Sequence, residues 1–499
     1  MPLRAAVFAA TATTLAAWSS LPHIKLPLAP QVICRRCEHL TSTAADPEVP
    51  PLLVGRSNTA AIWRVAWPSV AIGLLRTALG QIDAWYIGRL GSRQLEAIGA
   101  ASFAVWLVYV AGELSSVGVH ALSSAAEGAG DRQDGVGAAV VQGMWFSMAS
   151  SLVIALVLRR PGVLERYFRG VGLRDPLAIA EGADYLRVTA LGALPLSASA
   201  CASAGFKGIG ETVPALAIAA GTVVCNIALN GPFIRTWGVA GAAHATNLAA
   251  ALGCLASLVV LKIRYSVRLS VRLPSLRALT RIGRIGVPLA SSGALFSAVY
   301  MSLGRTLAGI SPRYLAALGI GHRLEAVAYT CCEGYAVGTA TVVGQWAGAR
   351  RPARARQAAH AAAVASALTM LPIGALCWAT AAPAAALFTG GDVLMTSAAA
   401  SYLRIVALAF PMMAIEAVYE GALTGIQKTG AVFLVGLVLN VGRIPLAMWL
   451  TRRWGTVEGV WVAIAISTAL KGPIKWWCFQ REKVEPIDLR STSSLTNGK

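Results

Sequence analysis

Apolar residues run along this chain in stretches of about twenty, broken by short polar segments. The runs fall at 66–88, 97–120, 137–158, 184–204, 213–234, 240–262, 283–308, 315–343, 359–388, 400–422, 431–450 and 457–478. Each can cross a hydrocarbon core about 30 Å thick as a helix rising 1.5 Å per residue. Barrel strands would have to alternate lipid-facing and lumen-facing positions, and runs this long and apolar do not. The pattern predicts twelve transmembrane helices.

A repeat lies on top of this pattern. Residues 93–129 recur at 313–349, offset by 220 without a gap. The shared positions are Arg93/Arg313, Leu95/Leu315, Ala97/Ala317, Gly99/Gly319, Tyr109/Tyr329, Glu113/Glu333, Val117/Val337, Gly118/Gly338, Gly128/Gly348 and Ala129/Ala349. This composition would give roughly three such matches by chance, so the repeat marks duplicated architecture. Tyr185-Leu186-Arg187 echoes Tyr402-Leu403-Arg404, Gly208-Ile209 and Thr212 echo Gly425-Ile426 and Thr429, and Asn226 pairs with Asn440. A basic segment holding Lys262, Arg264, Arg268, Arg272, Arg277, Arg281 and Arg284 splits the spans six and six. Six is even, so the seventh span enters the membrane in the direction of the first, and the halves form a parallel repeat about an axis along the membrane normal. In membrane chains such repeats enclose a shared transport site. The expected fold is an all-α polytopic membrane protein of twelve transmembrane helices in two pseudo-symmetric six-helix lobes. The expected division is a targeting segment and disordered linker at 1–60, an N-lobe at 61–264, a basic inter-lobe loop at 265–281, a C-lobe at 282–479 and a disordered tail at 480–499.

Composition agrees. Of 499 residues 56% are hydrophobic and 13% charged, against about 25% charged in soluble domains. The net charge of +20 is spread between apolar segments, which argues against a nucleic-acid partner. Arginines crowd the loops after span 6 and span 8 (Arg350, Arg351, Arg354, Arg356), and the loop after span 9 has none. Both termini are therefore expected on the cytosolic or stromal-equivalent side. Arg159, Arg160, Arg166, Arg169 and Arg174 after span 3 argue the other way. Cys34 and Cys37 form a lone CxxC, a weak redox or metal signal, and Cys201, Cys225, Cys254, Cys331, Cys332 and Cys377 read as small packing residues. No cofactor or metal is expected beyond a coupling ion. Residues 1–37 lack acidic residues and carry Arg4, Lys25, Arg35 and Arg36, the composition of an organelle transit peptide. A secretory signal built on Ala5–Trp18 and a plain tail are the competing readings. The first reading favours the plastid envelope over vacuolar or plasma membranes.

Several motifs together resemble the multidrug and toxic compound extrusion (MATE) family over about 61–480. They are Pro68, Asp83 and Gly88-Arg89-Leu90-Gly91; Gly128-Ala129-Gly130-Asp131; Gly205-Phe206-Lys207-Gly208-Ile209-Gly210-Glu211-Thr212; Asn226-Ile227-Ala228-Leu229-Asn230; Gly238-Val239-Ala240-Gly241-Ala242-Ala243; and, in the second half, Leu315-Ala316-Ala317 and Val343-Gly344-Gln345-Trp346-Ala347-Gly348-Ala349. The resemblance implies two lobes around a central cavity that exchange a small organic, often cationic, substrate for H⁺ or Na⁺. It places Asp83 at the family's coupling aspartate. Where some relatives carry further carboxylates, this chain has Asn230 and Met413. Organic-anion export within the family, and lipid-linked-sugar flipping in the wider superfamily, are the alternative functions.

An ionisable residue inside a span is costly and a functional candidate by default. Asp83 leads. Asn226 and Asn230, four apart, share one helix face and could bond Asp83 or line an ion site, or act as polar glue between helices. Arg76, two turns before Asp83, either tunes it or lines the cavity. Glu113 and Glu333 are repeat mates; a structural role in both lobes, such as bonding a neighbouring helix, is the favoured reading, with the substrate cavity the alternative. Glu416 and Glu420 share a face of span 10, and Arg305 and Arg443 offer anion sites. His120 and His244 read as packing residues, with proton relay the alternative. Trp63, Trp67, Trp85, Trp449, Trp454, Trp476 and Trp477 sit near span ends as interfacial anchors. No phosphate-binding Gly-rich motif, HExxH or Gly-x-Ser-x-Gly is present, which argues against ATP-driven pumping and enzymatic function. The expected partners are the bilayer and a small organic substrate, with the protein acting as a monomer.

Overall fold

A computed structural model of the chain describes residues 49–160, 162–270 and 273–484. The transit-peptide reading and Cys34/Cys37 fall outside the described residues. All secondary structure among the described residues is helical. The helices are α1 (Asn58–Gly88), α2 (Ser92–Gly128), α3 (Gly137–Arg159), α4 (Val163–Gly170), α5 (Pro176–Ile209), α6 (Thr212–Trp237), α7 (Val239–Tyr265), α8 (Leu276–Ile310), α9 (Pro312–Gly348), α10 (Pro352–Ala379), α11 (Ala381–Thr389), α12 (Val393–Ala407), α13 (Phe410–Gly425), α14 (Thr429–Trp454) and α15 (Glu458–Arg481). A π-helical turn, Arg132–Val136, leads into α3. Short α4 and α11 follow the third and ninth spans, in matching places of the two halves. α12 and α13 form one span bent by 58°. Pro411 explains the bend, since it has no N–H to donate to the Ala407 carbonyl.

With the bent pair counted once and the two short helices set aside, twelve long segments remain among the described residues. Seven helices are long and apolar enough to cross a membrane by composition alone, eight with the bent pair. The other four are α1, α2, α9 and α15. The first three meet between the lobes and α15 carries two buried lysines; the charged and polar residues these four helices hold lower their hydropathy.

The packing repeats as the sequence does. In the first half α2 packs on α5, α5 on α7 and α1 on α6. In the second half α9 packs on α13, α13 on α15 and α8 on α14. Between the halves the contacts are exchanged, α1 against α9 and α8 against α2, with α2 and α9 meeting on the pseudo-axis. Residue contacts obey the same offset of 220. A Cβ on Gly118 would strike Ile282 and one on Gly338 would strike Ile62. Gly286 abuts the Leu114 carbonyl and Gly334 the Ala66 carbonyl. A Cβ on Gly128 would lie 2.0 Å from the Gln345 oxygen, and one on Gly348 would lie 2.1 Å from the Ala125 oxygen. The repeated glycines are thus the points where the two lobes touch backbone to backbone.

These contacts gather at the C-terminal halves of α2 and α9. There α9 is almost wholly buried from Gly334 onward, whereas Leu315, Val327 and Tyr329 in its first half are exposed. His120 Nε2 bonds Thr341 Oγ1 at 2.9 Å, Thr341 Oγ1 reaches the Lys207 carbonyl at 2.9 Å, and Gln345 Nε2 donates to the Gly208 carbonyl at 2.9 Å. His120 is therefore a seam residue. The Gly205–Thr212 segment belongs to the same seal. Gly210 closes α5 in the left-handed conformation at φ 82°, and Glu211 pairs with Arg64 at 3.1 Å.

Three boundaries differ from those expected. Residues 49–60 are not a disordered linker: Leu52 and Leu53 are buried beside Trp346 and Ala355, and Ser57 caps α1. Two adjacent leucines in a polar stretch bury apolar area that a linker would leave in water. Leu52→Asp should cost about 2–3 kcal/mol, the burial value of one leucine, seen as a lower melting temperature in detergent. The inter-lobe loop is also shorter than 265–281, because Ser275 opens α8 and its N–H is held by Gln142 Oε1 at 2.9 Å. Arg277 and Arg281 consequently lie on a helix. Lastly, the chain after α15 is tied down as far as Glu482, whose carbonyl accepts from Arg356 at 3.3 Å and whose carboxylate pairs with Lys428 at 3.6 Å.

Candidate ion-coupling site

Asp83 stands half-buried near the end of α1, far from the sealed seam. Its partners come from the neighbouring hairpin of α6 and α7. Asn230 Nδ2 donates to Asp83 Oδ1 at 2.7 Å and to Asn226 Oδ1 at 2.9 Å. Asn226 Nδ2 donates to Thr246 Oγ1 at 2.9 Å, and Thr246 Oγ1 lies 3.2 Å from Asp83 Oδ2. The four side chains close a ring. The helix period sets Asn226 and Asn230 on one face, both fully buried. A tight turn at Gly238 (φ 57°) folds α7 back along α6. There a Cβ on Gly241 would lie 2.2 Å from the Phe233 oxygen.

Hydrogen counting fixes the ring's polarity. Both N–H groups of Asn230 are spent, so turning its amide over would set oxygen against carboxylate. Asn230 Oδ1 is left buried without a partner. Asp83 thus meets only neutral donors, with an orphan amide oxygen on the residue bonded to it. A carboxylate removed from water in such surroundings is satisfied by a proton or a small cation. Arg76 is exposed two turns away and supplies none of these hydrogen bonds. Thr246 escaped the sequence reading: a lone threonine in an apolar span has no periodic mate, and only the hairpin aligns it with Asn226.

Elsewhere the expected cavity groups divide. The side chain of Glu113 lies outside the described residues, and Glu333 is exposed on α9. Glu416 and Glu420 are not open cavity carboxylates. Lys475 Nζ lies 3.0 Å from Glu416 Oε1 and 2.5 Å from Glu420 Oε2, and Lys471 Nζ lies 3.4 Å from Glu416 Oε1. Both lysines sit on α15 and were missed, although their spacing of four on an apolar span is the same signal that singled out the glutamates. Arg443 is 1% exposed, donates to Ser467 Oγ at 2.7 Å and lies 5.6 Å from the Tyr300 ring, while Arg305 is exposed. Tyr402 bonds the buried Glu325. His244 stacks near Trp237 at 5.3 Å. Among the described residues no group of His, Cys, Asp or Glu is arranged to hold a metal ion.

The MatE family model matches residues 68–231 and 288–449, two stretches whose starts, Pro68 and Pro288, are again 220 apart. The chain belongs to the MatE family. This MatE protein is 29% identical over 439 residues to a probable multidrug resistance protein NorM of Deinococcus radiodurans, covering 85% of the chain and 95% of the relative. It is 27% identical over 469 residues to the multidrug resistance protein NorM of Burkholderia vietnamiensis, covering 88% and 96%. A crystal structure of MATE in the straight conformation superposes with a TM-score of 0.78 at 21% identity, covering 91% of the chain and all of that structure. The outward-facing conformation of a multidrug resistance MATE family transporter of the MOP superfamily gives 0.78 at 20% identity, covering 92% and 100%. The MatE protein is an integral multi-pass membrane transporter with the two-lobe fold of these structures.

Proposed function

We propose that this transporter is a secondary antiporter that exports a small organic molecule, in the first instance a cation, in exchange for H⁺ or Na⁺ carried by Asp83. The observation behind this reading is the ring around Asp83: a carboxylate in an apolar span, bonded only to neutral Asn230 and Thr246, with Asn230 Oδ1 left over. The curated NorM relatives are multidrug resistance proteins, in keeping with a broad range of substrates. Alternating access would proceed by unzipping the glycine seam of α2 and α9 and closing the opposite end. A second reading, export of an organic anion, draws on exposed Arg305 within the spans, Arg443 being held by Ser467. The protein is taken to act as a monomer. The plastid destination rests on the composition of residues 1–37 alone, and the bacterial relatives lend it no support.

Reconstituted proteoliposomes test the reading. An imposed proton or Na⁺ gradient should drive accumulation of a fluorescent organic cation and collapse with an ionophore. Accumulation of citrate in its place would transfer the case to the anion reading, and accumulation without any gradient would overturn antiport.

A further inference from the structure

The C-lobe holds a charged group that the proposed coupling does not use. Glu416 and Glu420 stand one turn apart on α13, Lys471 and Lys475 one turn apart on α15, and the two helices pack directly. The side chain of Lys475 is 2% exposed, that of Lys471 8%, Glu416 15% and Glu420 30%. Lys475 is clasped by both carboxylates, at 3.0 and 2.5 Å, while Lys471 reaches Glu416 alone. The nearby Arg443 is turned away to Ser467 and Thr468. The two carboxylates therefore hold a primary ammonium carried on the chain itself. The contrast with Asp83 is direct, since that carboxylate has no cation among its partners. The clusters also lie at different depths. Gly425, at the end of α13, abuts the Ala340 carbonyl in the sealed seam, whereas Asp83 lies toward the other end of its helix.

We propose that Lys475 is a specificity-determining residue, a tethered ammonium that fills the Glu416/Glu420 pair and so keeps free cations out of the C-lobe, leaving ion coupling to the N-lobe. The clause on coupling rests on the antiport reading; the occupancy itself does not. Removing the ammonium leaves Glu420 without its partner and Glu416 with Lys471 alone, a net negative charge that a small cation in the vacated space neutralises. The ligand that would replace Lys475 is of the class of its own ε-amine, a primary alkylammonium, or Na⁺.

The test uses the full chain in detergent with methylammonium and Na⁺ as probes. Lys475→Ala should show a dose-dependent rise in melting temperature of roughly 5 °C at saturating methylammonium, the linkage expected of a ligand bound only by the folded state. The native chain and the triple variant Glu416→Gln/Glu420→Gln/Lys475→Ala should not respond to methylammonium, and with Asp83→Asn added, which removes any Na⁺ response of the N-lobe, they should not respond to Na⁺. Lys475→Met fills more of the vacated volume and should respond to Na⁺. If neither variant folds, recovery of the folded protein by methylammonium during purification supports the proposal, and failure to recover it counts against. A folded Lys475→Ala and Lys475→Met without any cation response, or an equal response in the triple variant, overturns it. Repeating the melt with Asp83→Asn added separates the two readings, because the C-lobe response should persist whatever Asp83 does. In proteoliposomes Lys475→Ala should move one additional cation per cycle.

Discussion

Asp83→Asn should reduce gradient-driven accumulation to background, a loss of about 100-fold or more, while membrane insertion and melting temperature stay close to native. The expectation follows from the hydrogen bonds. An asparagine at 83 can still accept from Asn230 through its oxygen, and its amide can donate to Thr246, whose own proton can turn to the Ala242 carbonyl 3.0 Å away. The ring survives and only the ionisable group disappears, so the whole effect falls on transport. Asp83→Ala should behave differently. It leaves one N–H of buried Asn230 without its acceptor, and a buried polar group left unsatisfied costs about 1–3 kcal/mol. Loss of stability with Ala but not with Asn separates a coupling role from a structural one. Full transport by Asp83→Asn in vesicles would remove Asp83 from the mechanism.

The second large effect is expected at the seam. Gly128→Ala or Gly348→Ala inserts a methyl about 2 Å from a carbonyl oxygen of the opposing lobe, and neither backbone can yield without parting the helices. Overpacking of this kind costs about 1–3 kcal/mol, enough to shift a two-state balance by one to two decades. The sealed conformation should lose population. Spin labels on α2 and α9 flanking the seam should move apart, and transport should fall about tenfold or more. Gly80→Ala is the control: nothing lies within 4 Å of the added methyl, and replacing a helical glycine by alanine stabilises by up to about 1 kcal/mol. Equal behaviour of Gly80→Ala and Gly348→Ala would mean that the seam does not separate during transport.

Asp131, outside the spans at the end of α2, shows how the same motif serves as scaffold. Burial pushes its carboxyl above the ordinary carboxylate range, the Gly135 N–H opposing at 3.1 Å, while Glu127 and Arg132 pair beside it. These groups anchor the turn from α2 into α3 and keep the Gly128 contact in place.

Much of this could be read along the chain. Twelve apolar runs gave twelve long helical segments because hydropathy is summed residue by residue within one helix. The offset of 220 carried the two-fold arrangement down to individual contacts such as Gly118 on Ile282 and Gly338 on Ile62, because duplicated helices reuse the same close approaches. Asn226 and Asn230 were legible as a pair since four residues make about one turn. The partners were not. Thr246 reaches Asp83 only because α7 folds back on α6, and Lys471 and Lys475 offset Glu416 and Glu420 only because α15 lies against α13. Leu52 and Leu53 look like linker until Trp346 is brought beside them from the other half of the chain. Sequence by itself determined the membrane, the helices and the repeat, and singled out Asp83 as a carboxylate within a span. Tertiary structure decided which charges are compensated and which is left to neutral donors, because electrostatic pairing depends on distances between helices remote in sequence, and no periodicity within one helix contains them.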